Sequence, residues 1–382
     1  MKANKAPIEK SESNDQVVVV KVKDALGLDT TSDENSLLGR RFLCRGSGGL
    51  IIGPSGAGKS SFALQFACYL AVGKSFFGIE CSHKDQGGAT KPLKVLVVQS
   101  ENDDYEVAEV LQSIAADWNP TERQLLDKNL SIYCSWGMRG EAFTEWLDER
   151  VSTDKADVAF VDPLLSYCGG DVTKNQAVSE FMRDNINTIL KAQGANTKQM
   201  KFGLVFVHHT GKPGSTPKDD ETALYDMLGS SELTNWARFV MNITHFRLGK
   251  NEKVDRKLSK KLKKLKGRLF RLTINKRGNR SGFEKDSKTG KWSVLMQHSD
   301  VKGIKSTNGN INKGLDRLFW EPCDLDFDEE TSETLKGGNS KNGKAKSQKG
   351  KASPKPKESK VLLKKGKKAD SKSAATTKDA KA

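Results

Sequence analysis

Residues Gly53–Ser60 read GPSGAGKS, entered by the apolar run LII (Leu50–Ile52) and followed by SFALQFACYLAVG (Ser61–Gly73). A loop of this composition between a strand and a helix is suited to holding phosphate. Gly53, Gly56 and Gly58 let backbone N–H groups curl around the oxygens, Lys59 neutralises the β/γ charge, and the Ser60 hydroxyl is placed to ligate Mg²⁺. Pro54, Ser55, Ala57 and Ser61 complete the set expected to contact the nucleotide. The pattern predicts a strand over Gly49–Ile52 and an amphipathic helix over Lys59–Val72.

Outward from this loop, short β-branched runs alternate with helical periodicity, which is the signature of a parallel sheet with crossover helices. Strands are expected at Val95–Val98, Leu130–Tyr133, Val158–Val161, Leu204–Val207, Phe239–Thr244 and Leu269–Asn275, and helices at Tyr105–Asp117, Glu141–Arg150 and Gln176–Ala192. VLVV and VAFV are apolar at every position, as buried parallel strands require. The fold class is therefore α/β with a mostly parallel central sheet. Residues 1–40 read as a polar N-terminal arm with one apolar stretch at Val17–Val22, and residues 41–330 as the phosphate-binding domain. Residues 335–382 have too little apolar surface to order and read as a disordered Lys-rich tail.

Phosphate chemistry on such a loop needs carboxylates nearby. Asp162 ends the apolar run AFV, where a buried charge is costly unless it serves a metal, so it is expected to hold Mg²⁺ with Ser60. Pro163 follows it, so a catalytic Glu directly after the Asp is absent. Glu101 ends VLVVQS and is the expected water-orienting group, on the reading that its strand lies next to the P-loop strand.

Several segments together resemble the hexameric RecA-like P-loop ATPases, in particular the RepA-type replicative helicases of plasmids and phages. GGLIIGPSGAGKS (Gly48–Ser60) and AVGKSFFG (Ala71–Gly78) match its loop and following helix, and VAFVDPLLSY (Val158–Tyr167) its Asp-Pro-Leu strand. FVHHTGKP (Phe206–Pro213) matches its His-His-Thr element, and LGSSELTNWARF (Leu228–Phe239) a segment leading to an Arg. The resemblance covers about residues 40–280. It implies ATP with Mg²⁺ as cofactor, a γ-phosphate contact from His208 or His209 (His209 by strand register), and Arg238 reaching a neighbouring subunit's ATP. INKRGNRSG (Ile274–Gly282) is similar to a second element by which ring helicases contact a neighbour, with altered spacing, so Lys276, Arg277 and Arg280 stand unranked beside Arg238. A trans-acting Arg implies a homo-oligomer, a hexameric ring in this family.

Charge is unevenly distributed. The chain carries a net +16 over 382 residues. Residues 336–382 hold 16 Lys against Glu358, Asp370 and Asp379, a net +13. Residues 247–280 hold 15 Lys and Arg against Glu252 and Asp255, again +13, which leaves −10 elsewhere. An acidic body with two basic islands favours a polyanion partner. Within the second island, a basic insertion at about 247–268, RKLSKKLKKLK (Arg256–Lys266) spaces Leu258, Leu262 and Leu265 for one edge of a short helix. Lysine contacts to phosphate are sequence-blind; the charge does not say which polyanion is bound, and the resemblance implies nucleic acid, single-stranded DNA in the first instance.

The polar N-terminus and the lack of any apolar run near about 20 residues predict a cytoplasmic protein with no membrane partner. The six scattered cysteines predict neither a disulfide framework nor a metal site. The expected activity is ATP hydrolysis coupled to nucleic acid, most simply as a helicase. A loader or remodeller of a replication or recombination partner, and a nucleotide-switched DNA-binding module with slow hydrolysis, stand as alternatives.

Overall fold

The computed structural model describes residues 21–30, 33–170, 175–191, 201–210, 231–246, 256–265, 268–286, 290–299, 302–305, 311–316, 319–323 and 325. The arm before residue 21, much of the basic insertion (247–255 and 266–267) and the Lys-rich tail lie outside the described residues. The strands in chain order are β1 (Ser36–Leu38), β2 (Leu43–Cys44), β3 (Gly48–Gly53), β4 (Val95–Gln99), β5 (Leu130–Cys134), β6 (Val158–Asp162) and β7 (Gly203–His209). They continue with β8 (Phe239–His245), β9 (Leu269–Lys276), β10 (Trp292–His298), β11 (Lys302–Lys305), β12 (Ile311–Asp316) and β13 (Trp320–Pro322).

Nine of them form one sheet in the order β13-β10-β9-β8-β3-β7-β6-β4-β5. From β8 through β5 every pairing is parallel, while β9, β10 and β13 add antiparallel strands at one side. The α/β class with a mostly parallel central sheet is as expected. The strands β4, β6 and most of β7 are buried throughout, since helices cover both faces.

Alternate residues along each strand feed two separate cores. Ile51, Val97, Phe160, Val205 and Val207 pack under the helices Lys59–Val72, Asp104–Ile114 and Pro120–Asn129. Leu50, Ile52, Leu96, Val98, Val161 and Phe206 pack on the other face, with Phe143, Leu147 and Met182 from the opposing helices. Each such side chain contributes about 1.5–3 kcal/mol of transfer free energy, which places the sheet's stability in its centre.

Three expectations change. The P-loop helix is not amphipathic: eleven of its 14 residues are buried. The sheet, with Met296 and Trp320 at its antiparallel end, and the helices Asp104–Ile114 and Pro120–Asn129 enclose it, so an all-round apolar sequence is what the position demands. The core also begins before residue 41, because Ser36, Leu37 and Leu38 form β1, pair with β2 and are buried.

The third change concerns Glu101. Its strand β4 is not beside the P-loop strand β3, which pairs with β7 and β8; β4 pairs with β6 and β5. The chain leaves β3, crosses past β6 to β4, steps outward to the edge strand β5, then returns past β4 to β6 and β7. The turning point of this winding opens a crevice at the carboxyl ends of the strands, the place where open parallel sheets bind ligands.

Candidate functional site

The P-loop turns on two residues in the left-handed region, Gly56 (φ +75°) and Gly58 (φ +73°). A side chain at Gly58 would also strike the Trp320 ring at 2.6 Å. The helix starts at Lys59 with no side-chain cap. Its first N–H groups therefore face the crevice as unsatisfied donors, an arrangement that attracts anions.

Lys59 is 4% exposed. Its ammonium donates to the Pro54 carbonyl (2.9 Å) and to His209 Nδ1 (3.0 Å). Burial pushes the Lys59 pKa down, opposed by the charges of Asp162 and Glu101. An ammonium donor requires an unprotonated Nδ1, so His209 is neutral and carries its proton on Nε2. Burial, and then Lys59, hold the His209 pKa below its ordinary value in agreement with this. His209 stands level with Gly53 in the β3–β7 pairing, whereas His208 faces fully into the core.

Asp162 ends β6 and is buried, hydrogen-bonded to Ser60. Burial is the main cause that raises its pKa to about 6; Ser60 and Lys59 oppose the rise and Glu101 adds to it. A hydroxyl and a carboxylate held together beside a buried ammonium form a hard-oxygen donor pair. They fit Mg²⁺, which takes few protein ligands and completes its shell with phosphate and water.

Glu101 is exposed at the crevice, and its charge acts on Lys59, Asp162 and His209 alike. A neighbour that sequence reading missed fixes its loop. Gln99 donates to the Asn102 carbonyl (2.7 Å) and accepts from the Asn102 amide (2.8 Å), clamping the turn from both sides. The Trp136 indole donates to the Ser100 carbonyl (3.0 Å), and the Ser100 amide donates to the Asp162 carbonyl (3.2 Å). Asp103 is engaged otherwise: with Glu106 it forms a reciprocal capping box on the next helix. The D-x-x-E spacing carries that signal in the sequence.

Arg238 is not at the P-loop. Its amide donates to the Gly48 carbonyl (2.7 Å), at the start of β3. Five residues of strand, about 17 Å, separate that point from Gly53. Because β9 runs antiparallel, its end returns to the same edge, and Arg277 and Arg280 join Arg238 and Arg41 there. Burial lowers the Arg277 pKa, and the charges of Arg238, Arg280 and Arg41 lower it further. Lys276 is committed elsewhere, donating to the carbonyls of Thr234 (2.8 Å), Asn235 (3.3 Å) and Ala237 (2.6 Å). Arg280 donates to the Arg40 carbonyl (3.1 Å), and Arg41 pairs with Asp33. Among the described residues the Arg277 guanidinium has no hydrogen-bond partner.

Within the basic island, Arg256–Lys264 is helical, with Lys260, Lys261, Lys263 and Lys264 exposed and Leu262 and Leu265 half-buried. The six cysteines are unpaired. No helix of the described residues is long and apolar enough to cross a membrane.

A family model described as an AAA domain matches residues 14–215, just over half of the chain. The match includes the P-loop, Glu101, Asp162 and both histidines. No curated protein matches the chain.

Proposed function

Because the chain belongs to the AAA domain family, and is thus a P-loop ATPase, we propose that it assembles head to tail and uses ATP hydrolysis to act on nucleic acid, as a helicase of the RepA type. The observation that carries this reading is the separation of two half-sites within one subunit. Lys59, Ser60, Asp162, His209 and Glu101 gather at the carboxyl ends of the strands, while the arginines gather at the opposite edge. A closed ring or open helix of like-oriented copies would bring the two edges together.

In this reading the main chain of Gly53–Ser61 and the Lys59 ammonium hold the phosphates. Ser60 and Asp162 hold Mg²⁺, which when bound neutralises phosphate charge. Glu101 orients and deprotonates the attacking water. His209, through its Nε2 proton, contacts the γ-phosphate. Arg277 is favoured over Lys276 as the group given to the neighbour, since the Lys276 ammonium is occupied and the Arg277 guanidinium has no hydrogen-bond partner among the described residues. Arg238, beside it, is the second candidate. The exposed lysines of Arg256–Lys264 would track the phosphate backbone without reading bases.

The reading is tested by ATPase assays with and without single-stranded DNA, followed by unwinding of a forked duplex. DNA-stimulated turnover with unwinding is expected. Turnover without unwinding would favour a loader, and no stimulation by DNA or RNA would remove nucleic acid from the proposal. The shared site predicts complementation. Arg277→Ala and Glu101→Gln should each lose turnover alone, Arg277→Ala by more than about tenfold. Mixing the two proteins should restore part of it, because some junctions then pair an intact Glu101 with an intact Arg277. No recovery on mixing, with both variants oligomeric, would refute the shared site.

A further inference from the structure

The P-loop is held from a part of the chain far from it in sequence. On the P-loop helix, Ser61 and Gln65 lie one turn apart on a single side. Gln65 is 1% exposed and meets the main chain of Trp320 as a strand would, donating to its carbonyl (2.8 Å) and accepting from its amide (2.7 Å). The Trp320 indole donates to Ser61 Oγ (3.1 Å), and Ser61 Oγ donates in turn to the Gly58 carbonyl (2.9 Å). The single O–H donor of Ser61 is thereby used, which leaves only its amide to donate to phosphate.

The indole itself is packed by rings on several sides. Phe62, Phe270 and His298 pack edge-on around it, His298 at 3.9 Å between centroids. Its far edge lies against Gly58, the residue whose left-handed turn starts the helix. The link from β13 through Trp320 and Ser61 to Gly58 therefore ends on the peptide unit that aims the first helical N–H groups into the crevice.

We propose that Trp320 is a positioning residue of the nucleotide site, holding Ser61 and the Gly58 turn in the geometry that accepts phosphate. This rests on the ATPase reading. Trp320 touches no phosphate itself; it acts on affinity by preorganising the donors that do.

The test is Mg·ADP binding by calorimetry on wild type, Trp320→Phe, Ser61→Ala and the double variant, with kcat and melting temperature measured alongside. Phe keeps most of the ring packing and removes the indole N–H; Ser61→Ala removes its acceptor and serves if Trp320→Phe folds poorly. Each single variant is expected to raise the ADP dissociation constant about five- to tenfold, the size of one hydrogen bond. The double variant should cost no more than about twofold beyond either, because both break the same link. A core variant on the other face of the sheet, Phe143→Leu, should lower the melting temperature and leave affinity unchanged, which separates positioning from general loss of stability. Unchanged affinity in Trp320→Phe, additive losses in the double variant, or an equal loss in Phe143→Leu would each overturn the proposal. Failure of the wild type to bind ADP would overturn it together with the ATPase reading, whereas normal wild-type binding with unaffected variants overturns this proposal alone.

Discussion

Replacing Glu101 by Gln is expected to lower ATP turnover by roughly 10²–10⁴-fold, the range typical of losing a positioned general base. Nucleotide affinity should change by less than about threefold, since the substitution is isosteric and removes no group assigned to ground-state binding. The local structure gives reason to expect a clean result. The reciprocal Gln99–Asn102 pair and the Trp136–Ser100 bond fix the loop without using the Glu101 side chain. Neutralising Glu101 removes a charge that helps to raise the pKa of Lys59, His209 and Asp162. At Asp162 the loss makes the group a readier carboxylate at neutral pH, so weaker metal binding through Asp162 cannot account for the lost rate. Single-turnover hydrolysis with pre-bound ATP isolates the chemical step. A rate within about tenfold of wild type would show that Glu101 is not the base.

The parts of this site that were legible in the sequence are those in which local chemistry and local backbone coincide. GPSGAGKS has Gly56 and Gly58 at the positions where the chain turns left-handed, and an Asp at the end of AFV is too costly without a purpose. His209 could be told from His208 because side chains alternate along a strand, and the structure puts His209 on Lys59 and His208 in the core. What the sequence concealed was non-local. The place of β4 depends on a crossover past β6, and no residue of VLVVQS records which strand it will pair with. Gln65 and Trp320 are 255 positions apart, and neither is unusual in its own segment. The full burial of the P-loop helix depends on Met296 and Trp320 of β10 and β13, antiparallel strands of the same sheet that lie more than 200 positions away in sequence. The clustering of Arg238, Arg277 and Arg280 likewise needs β9 to run antiparallel to β8, a fact of register rather than composition.

Asp162→Asn is expected to produce opposite effects on stability and function. Burial raises the Asp162 pKa to about 6 in the folded protein, against an ordinary value of 3.8. Between these values the folded state keeps a proton that the unfolded chain has released. The contribution of this group to stability is therefore complete below the unfolded value, and is lost as pH rises through about 6. At neutral pH the buried carboxylate costs up to about 3 kcal/mol relative to a neutral group. Asn keeps the shape and can still accept from Ser60, so without ligand at pH about 7.5 the variant should melt roughly 2–8 °C above wild type. The gap should close as the melts are moved toward pH about 5, where wild-type Asp162 is itself largely protonated. With Mg·ATP present the order should reverse. The wild type gains stability because the carboxylate finds a cation, and the variant lacks that part of the shift. Turnover in the variant should fall by at least about 10²-fold. An Asn variant less stable than wild type without ligand at neutral pH would refute the assignment. So would a Mg²⁺-dependent stabilisation equal to wild type. A carboxylate retained at such a cost beside the buried Lys59 fits the proposed metal and phosphate site.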